Sequence, residues 1–390
     1  MRMLSLMGAL ALSLPLIACS ESDGRPAEGT WIEVVPGGDT ICSRGSDYRF
    51  FVRGGDPQRV IIDFQGGGAC WNAATCGFAD ALFSDGVQTF DEWLDLVDDP
   101  EFGGYLDGGA DHPFAEWTVI HIPYCTGDVH IGNARADYGD DVVIEHRGFV
   151  NASTALDWVY DHYPSPQTVM VSGCSAGAYG AAFHVPFVAD HYADADVSLF
   201  ADSGGGIITE TFLEDSFPSW NADGSLPDFI PALTEVPISE LSLTDVYIEV
   251  GKTFPDLAMA QTSTAFDQDQ IFFFEAMGGT RANWPGLFQA SLDQIAEEVP
   301  RFRYYRPPGT AHCAGIYPFF FEREVDGQNL ADWTLQLATE ETLPDTVSCQ
   351  GAGCCVDPVC EACEASGFEE SWCRFCLSYP PTFDECSPEE

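Results

Sequence analysis

The chain has 390 residues, of which 62 are acidic and 15 basic, giving a formal net charge of −47 at pH 7. A field of that sign repels nucleic acid and anionic membrane surfaces and disfavours a polyanionic substrate. Hydrophobic residues at 45% and aromatic residues at 13% exclude a disordered chain and allow one large core with a small appendage.

Taken in chain order, the first segment reads as an export signal. Arg2 supplies a positive charge and Met3 to Ile17 form an apolar run too short to span a bilayer comfortably. The run ends in Leu16-Ile17-Ala18-Cys19, which resembles the lipobox of bacterial lipoproteins. Cys19 is therefore expected to carry a lipid anchoring the exported chain to the cell envelope, with secretion after cleavage near Ala18 as the alternative. A linker over residues 20–29 and a main domain over 30–340 follow. Setting Cys19 aside leaves fourteen of the fifteen cysteines, an even number that suits disulfides in an oxidising compartment.

Within the main domain, Val60 to Gln65 reads as a buried strand, followed by Gly66-Gly67-Gly68-Ala69-Cys70-Trp71. Glycines there let the backbone approach a ligand with no Cβ in the way. A second strand is expected at Trp117 to Ile122 and a helix around Arg147 to His162. Thr168 to Ser172 is a third strand, running into Gly173-Cys174-Ser175-Ala176-Gly177, and a helix follows from Ala178 to Asp190. Further strands are expected at Val197 to Ala201, Leu257 to Gln261 and Phe302 to Tyr305, with a helix at Asn283 to Val299. Strands interleaved with helices predict an α/β fold, with a mostly parallel central sheet covered on both faces.

Strand, glycine-flanked serine and helix together form the setting of a nucleophile elbow. A turn that tight needs small residues two positions either side of Ser175, and Gly173 and Gly177 supply them. Backbone N–H groups of Gly67, Gly68 and Ala176 are the expected oxyanion donors. Cys174 beside the serine is expected to face the core or join a disulfide. Of the eight histidines, His312 lies in a suitable late loop, Arg306 to Gly315, and is the expected base. His184 and His191 are read as packing or surface residues. Position leaves the acid open between Asp267 and Asp202, with Asp256 and Asp269 as further candidates.

These residues together resemble the pectin acetylesterase/Notum family of α/β hydrolases. Gly66 to Trp71 looks like that family's oxyanion loop, Ile122 to Asp128 like its strand-end motif, and Gly173 to Gly177 like its elbow. Ala265 to Gln270 resembles the segment holding the family's acid, so the resemblance implies Asp267 in that role, and Ala311-His312-Cys313 resembles its histidine loop. Gln65 and Tyr179 depart from the family pattern, which bears on substrate rather than mechanism.

The resemblance implies an α/β-hydrolase-like esterase using Ser175, His312 and Asp267 through an acyl-enzyme, with no metal or organic cofactor. Its expected partner is an ester substrate, most simply an acetylated neutral glycan, with membrane contact only through the lipid anchor and no nucleic acid. The chain is expected to act as a monomer. Competing readings are a lipid deacylase like Notum, a non-catalytic hydrolase-like binding protein and a peptidase.

Beyond the resemblance, residues 349–386 hold eight cysteines and few aliphatic residues. A segment this short needs covalent staples. Cys360-x-x-Cys363 and Cys373-x-x-Cys376 have zinc-knuckle spacing, but the export signal favours disulfides.

Overall fold

The computed structural model describes residues 24–77, 82–109, 112–367, 373 and 376–378. The expected export signal and Cys19, the expected anchor residue, lie outside them, as does Cys386. Among the described residues no helix is long and apolar enough to cross a membrane.

A nine-stranded sheet runs through the molecule. Its strands in chain order are β1 (Trp31–Val34), β2 (Phe50–Arg53), β3 (Asp56–Phe64), β4 (Trp117–Ile122), β5 (Thr168–Cys174), β6 (Asp196–Asp202), β7 (Ala258–Thr262), β8 (Phe302–Arg306) and β9 (Val347–Ser348). They lie side by side as β1-β2-β4-β3-β5-β6-β7-β8-β9. β1 with β2 and β2 with β4 are antiparallel, and every later pairing is parallel. This is the mostly parallel α/β sheet expected from the sequence, with two antiparallel strands added at one edge.

The central strands are mostly apolar because both of their faces are covered. Val60, Ile62, Phe64, Val169 and Val171 join one core with helices α1 (Gly148–His162) and α2 (Ala176–His191). Their neighbours Ile61 and Met170 point the other way, into a second core with helix α6 (Leu330–Thr339). Helices α3 (Leu243–Thr253), α4 (Gln268–Ala276) and α5 (Trp284–Glu298) complete the connections.

Parallel register brings the strands' carboxyl ends to one edge. Phe64 pairs with Gly173, Cys174 with Asp202, and Asp202 with Thr262. The segments that follow these residues therefore converge, which is where open α/β sheets bind ligands.

Six disulfides are found among the described residues: Cys42–Cys125, Cys70–Cys76, Cys174–Cys313, Cys349–Cys354, Cys360–Cys376 and Cys363–Cys373. The paired C-x-x-C motifs thus cross-link each other and hold no zinc. Helix α7 (Pro358–Ser366) carries Cys360 and Cys363 on one face.

Candidate active site

β5 stops at Cys174 and α2 starts at Ala176, leaving Ser175 alone to make the turn. Its backbone sits at φ 58° and ψ −124°, a conformation that non-glycine residues rarely adopt and that costs about 1–3 kcal/mol. The surroundings hold it there: the Ser175 N–H donates to the Asp202 carbonyl at 2.8 Å, and the Ser175 carbonyl accepts from Ala178 N–H at 2.9 Å. The flanking glycines are sterically required. A Cβ on Gly177 would overlap the Phe64 carbonyl, and one on Gly173 would overlap Gly177. The serine side chain is half-buried at the helix N-terminus.

The glycine loop after β3 lies against this turn. A Cβ on Gly66 would come within 2.6 Å of the Cys174 carbonyl oxygen. Gly67 and Gly68 take φ values of 148° and 71°. Ser84 N–H bonds the Gly67 carbonyl at 2.9 Å and Ala69 N–H bonds the Leu82 carbonyl at 3.1 Å, so the loop is pinned from outside. Gly68, Ser175 and Ala176 line the same pocket. Beneath them, the strand-end motif is structural. Asp128 is fully buried, accepts from Thr126 Oγ1 at 2.6 Å and Gly148 N–H at 2.8 Å, and has its pKa pushed up by burial to about 6.

His312 lies across the same pocket and is 12% exposed. Its Nδ1 is 2.8 Å from Oδ1 and 3.0 Å from Oδ2 of Asp267. Asp267, fully buried, also caps α4 by accepting from Gln270 N–H at 3.0 Å. Its second oxygen takes hydrogen bonds from Gln270 Nε2 at 2.9 Å and Ser263 Oγ at 3.2 Å. Burial alone would lower the imidazole pKa. The Asp267 charge and hydrogen bond outweigh it, with help from Asp269 and Asp202, and the result is about 9.

Asp202 has a different job. Its Oδ2 accepts from Ala314 N–H at 2.6 Å and Gly315 N–H at 2.7 Å, while Ser203 Oγ accepts from Cys313 N–H at 2.8 Å. It fastens the loop that follows His312, and burial raises its pKa to about 6 against those hydrogen bonds. Asp269 stands on α4 at the rim of the groove, and Asp256 precedes β7 outside the pocket. Gln270 and Asp202 were not singled out as supporting residues by motif reasoning. Each sits within a few positions of a motif, but Asp202 bonds Ala314 and Gly315 more than a hundred residues on, and Gln270, besides Asp267, reaches back to Gly205.

The Cys174–Cys313 disulfide joins the residue before Ser175 to the residue after His312. Cys174, His312 and Cys313 lie close enough to share an ion, as do Cys70, Cys76 and His146. Both cysteine pairs are oxidised to disulfides and offer no thiolate ligand. His184 is buried in the core, its Nε2 3.0 Å from the His130 carbonyl, and His191 stacks on Tyr160.

Two spaces open from Ser175 and His312. One is an apolar pocket with Trp71, Phe183 and Trp284 among its walls. Much of the rest comes from residues 207–243, an insertion of short helices between β6 and α3, which contributes Phe212, Phe217 and Trp220. The other is a wider groove lined by Asp85, Asp99, Glu101 and Asp269 beside Leu82 and Phe272, with no lysine or arginine among its described walls.

Comparisons with known proteins agree with this architecture. Residues 29–213 match the sequence profile of the pectinacetylesterase family, a stretch that holds Gly66–Gly68 and Ser175 and ends before Asp267 and His312. Pectin acetylesterase 4 of Arabidopsis thaliana is 27% identical over 170 residues, 42% of this chain and 40% of that protein. Pectin acetylesterase 11 of the same plant is 25% identical over 182 residues, 44% of each chain. The matched region thus spans less than half the length of these relatives. In fold, the chain is similar to the structure of the Wnt deacylase Notum from Drosophila. The TM-score is 0.56 at 16% identity, covering 79% of this chain and 94% of that one.

Proposed function

We propose that this chain, similar in sequence to the pectin acetylesterases and in fold to Notum, is a serine carboxylesterase with Ser175 as nucleophile, His312 as base and Asp267 as the acid that orients it. The observation that carries the reading is the meeting of a strained serine, an Asp-bound imidazole and an apolar pocket in one place. With Nδ1 engaged by Asp267, the other ring nitrogen of His312 is free to take the serine proton as Oγ attacks the ester carbonyl. The N–H groups of Gly67, Gly68 and Ala176 are the proposed donors to the oxyanion, each worth about 3 kcal/mol in comparable sites. Collapse expels the alcohol, protonated by His312, and water then releases the acid by the same steps in reverse.

The two spaces support an acyl side and an alcohol side. Aromatic and aliphatic walls favour an acyl chain longer than acetyl, since each buried methylene contributes about 0.8 kcal/mol. The acidic groove opposes a polyanionic alcohol, so polygalacturonate fits this chain poorly. The specific point in favour of an acetyl ester is that the matched curated relatives bear the name pectin acetylesterase. A series of p-nitrophenyl esters separates the two. The expected result is kcat/KM rising about two- to fourfold per methylene from acetate toward octanoate. A maximum at acetate would favour the acetyl reading instead.

Export is part of the proposal, with Cys19 as the lipidated residue. Disulfides beside Ser175 and at five other sites in the main domain and tail require an oxidising compartment to persist.

A further inference from the structure

The cysteine-rich tail does not stand apart from the site. β9, at its start, pairs with β8 so that Tyr305 faces Val347 and Arg306 faces Ser348. Cys349 N–H then donates to the Arg306 carbonyl at 3.0 Å, and the Arg306 side chain returns bonds to Ser348 Oγ at 3.0 Å and the Cys349 carbonyl at 3.2 Å. Three residues on, Gly309 N–H donates to the Cys354 carbonyl at 2.9 Å. Gly309 has a φ of 98°, and a Cβ there would run into the Asp357 side chain. Asp357 is buried and bonded to the equally buried Arg323 at 2.9 Å.

The far side of this same loop holds the acid. Ala265 N–H donates to the Pro307 carbonyl at 2.9 Å, Phe266 N–H to Gly309 at 3.0 Å and Gln268 N–H to Thr310 at 3.1 Å. Thr264 Oγ1 bonds the Ala311 carbonyl at 2.7 Å. Ala265 and Phe266 also pack against Cys349 and Cys354. Residues 307–311 are therefore sandwiched, with the Asp267 segment on one side and the tail on the other, and His312 emerges from their end.

We propose that the cysteine-rich tail is a buttress that sets the spacing of the Asp267 and His312 loops, with Asp357, locked by Arg323, as its principal positioning residue. The physical case is that residues 307–311 are bonded by the Asp267 segment on one side and by the tail on the other, whereas Asp202 and Ser203 anchor only the residues after His312. A hydrogen-bonded pair needs an outer wall to keep its separation, and a shift of about 1 Å in such a site costs about 100-fold in rate. The disulfides Cys349–Cys354, Cys360–Cys376 and Cys363–Cys373 make that wall stiff without a core of its own. Asp357 touches no reacting atom and acts through Gly309.

The proposal rests on the esterase reading, so its test includes a readout that does not need turnover. In the full chain, Asp357→Asn is compared with wild type and Ser175→Ala by ester kinetics across pH and by the downfield proton resonance of the His312 Nδ1–H. The expected result is a kcat lowered about tenfold with KM within about twofold, and a weakened downfield resonance. The pH midpoint of kcat/KM should also fall as His312 loses its hold on Asp267, leaving Asp269 and Asp202 as the remaining charges near it. Should that variant not fold, opening the Cys349–Cys354 staple with Cys349→Ser/Cys354→Ser is expected to give the same changes at smaller amplitude. A lowered Tm with kcat, pH midpoint and resonance all unchanged would overturn the buttress. Hydrolysis persisting in Ser175→Ala would overturn Ser175 as the nucleophile and leave the buttress standing, because the resonance would still report on the tail.

Discussion

Two aspartates stand at neighbouring strand ends, Asp202 closing β6 and Asp267 just past β7, and it is Asp267 that touches His312. The distinction predicts different losses. Asp267→Asn removes the charge that orients the imidazole, and kcat is expected to fall about 10³–10⁴-fold while the fold survives. Asp202→Asn weakens bonds to Ala314 and Gly315 and should mainly cost stability, about 1.5–3 kcal/mol by urea denaturation. Equal kinetic losses in the two variants would contradict the assignment. The pH dependence follows from the same contact. His312 works as a base when neutral, so kcat/KM is expected to climb with pH through about 9 and to be low at pH 7. The stability contributed by its protonated form has the opposite sense. It is fully present below the ordinary value of 6.5 and lost as pH rises through about 9. A rate profile levelling off near pH 7 would mean that the carboxylates around His312 do not hold its proton as described. Sequence position could not separate the two acids, because the sheet puts both strand ends side by side. What separates them is which loop His312 folds onto.

At the level of elements, the Cys174–Cys313 bridge closes a separation of 139 residues and ties the serine turn to the histidine loop. A cross-link over that length stabilises by about 4–5 kcal/mol in the chain-entropy account. Cys174→Ala/Cys313→Ala is therefore expected to lower the urea midpoint and also kcat, since His312 loses a neighbouring anchor. Unchanged kcat in the folded double variant would show that the Asp202 and Ser203 contacts suffice. The central strands were legible in the sequence because strands covered on both faces are predominantly apolar, as Val60 to Phe64 and Trp117 to Ile122 are apart from Asp63, Thr118 and His121. β1, β2 and β9 went unread: they have two to four residues, too few to show a pattern, and β1 and β9 are also edge strands. The insertion over 207–243 was illegible for another reason. Its apolar residues sit on turns of three to six residues, with no period to follow, and their shared direction into the pocket exists only once folded.

For the whole molecule, the charge of −47 is the dominant long-range force. Self-repulsion of that size destabilises the compact state, and salt at about 1 M shortens the screening length to about 3 Å. Tm is accordingly expected to rise between low salt and 1 M sodium chloride, measured by calorimetry. A falling Tm would mean that the exposed ion pairs such as Arg59 with Glu116 outweigh the repulsion. The cysteine count and export signal pointed to a stapled tail, but not to where it docks. That depends on Arg306, Arg323 and Gly309, whose partners lie 34 to 48 residues away and leave no local pattern. The central claim is that Ser175 is the nucleophile of an esterase with an apolar acyl pocket. Labelling with an alkyl p-nitrophenyl phosphonate, followed by mass spectrometry of the digested chain, tests it most directly. The account predicts one adduct, on the peptide carrying Ser175, formed in step with loss of hydrolysis and faster for longer alkyl chains. Hydrolysis lost with the adduct on another residue, or retained with Ser175 fully modified, would contradict it.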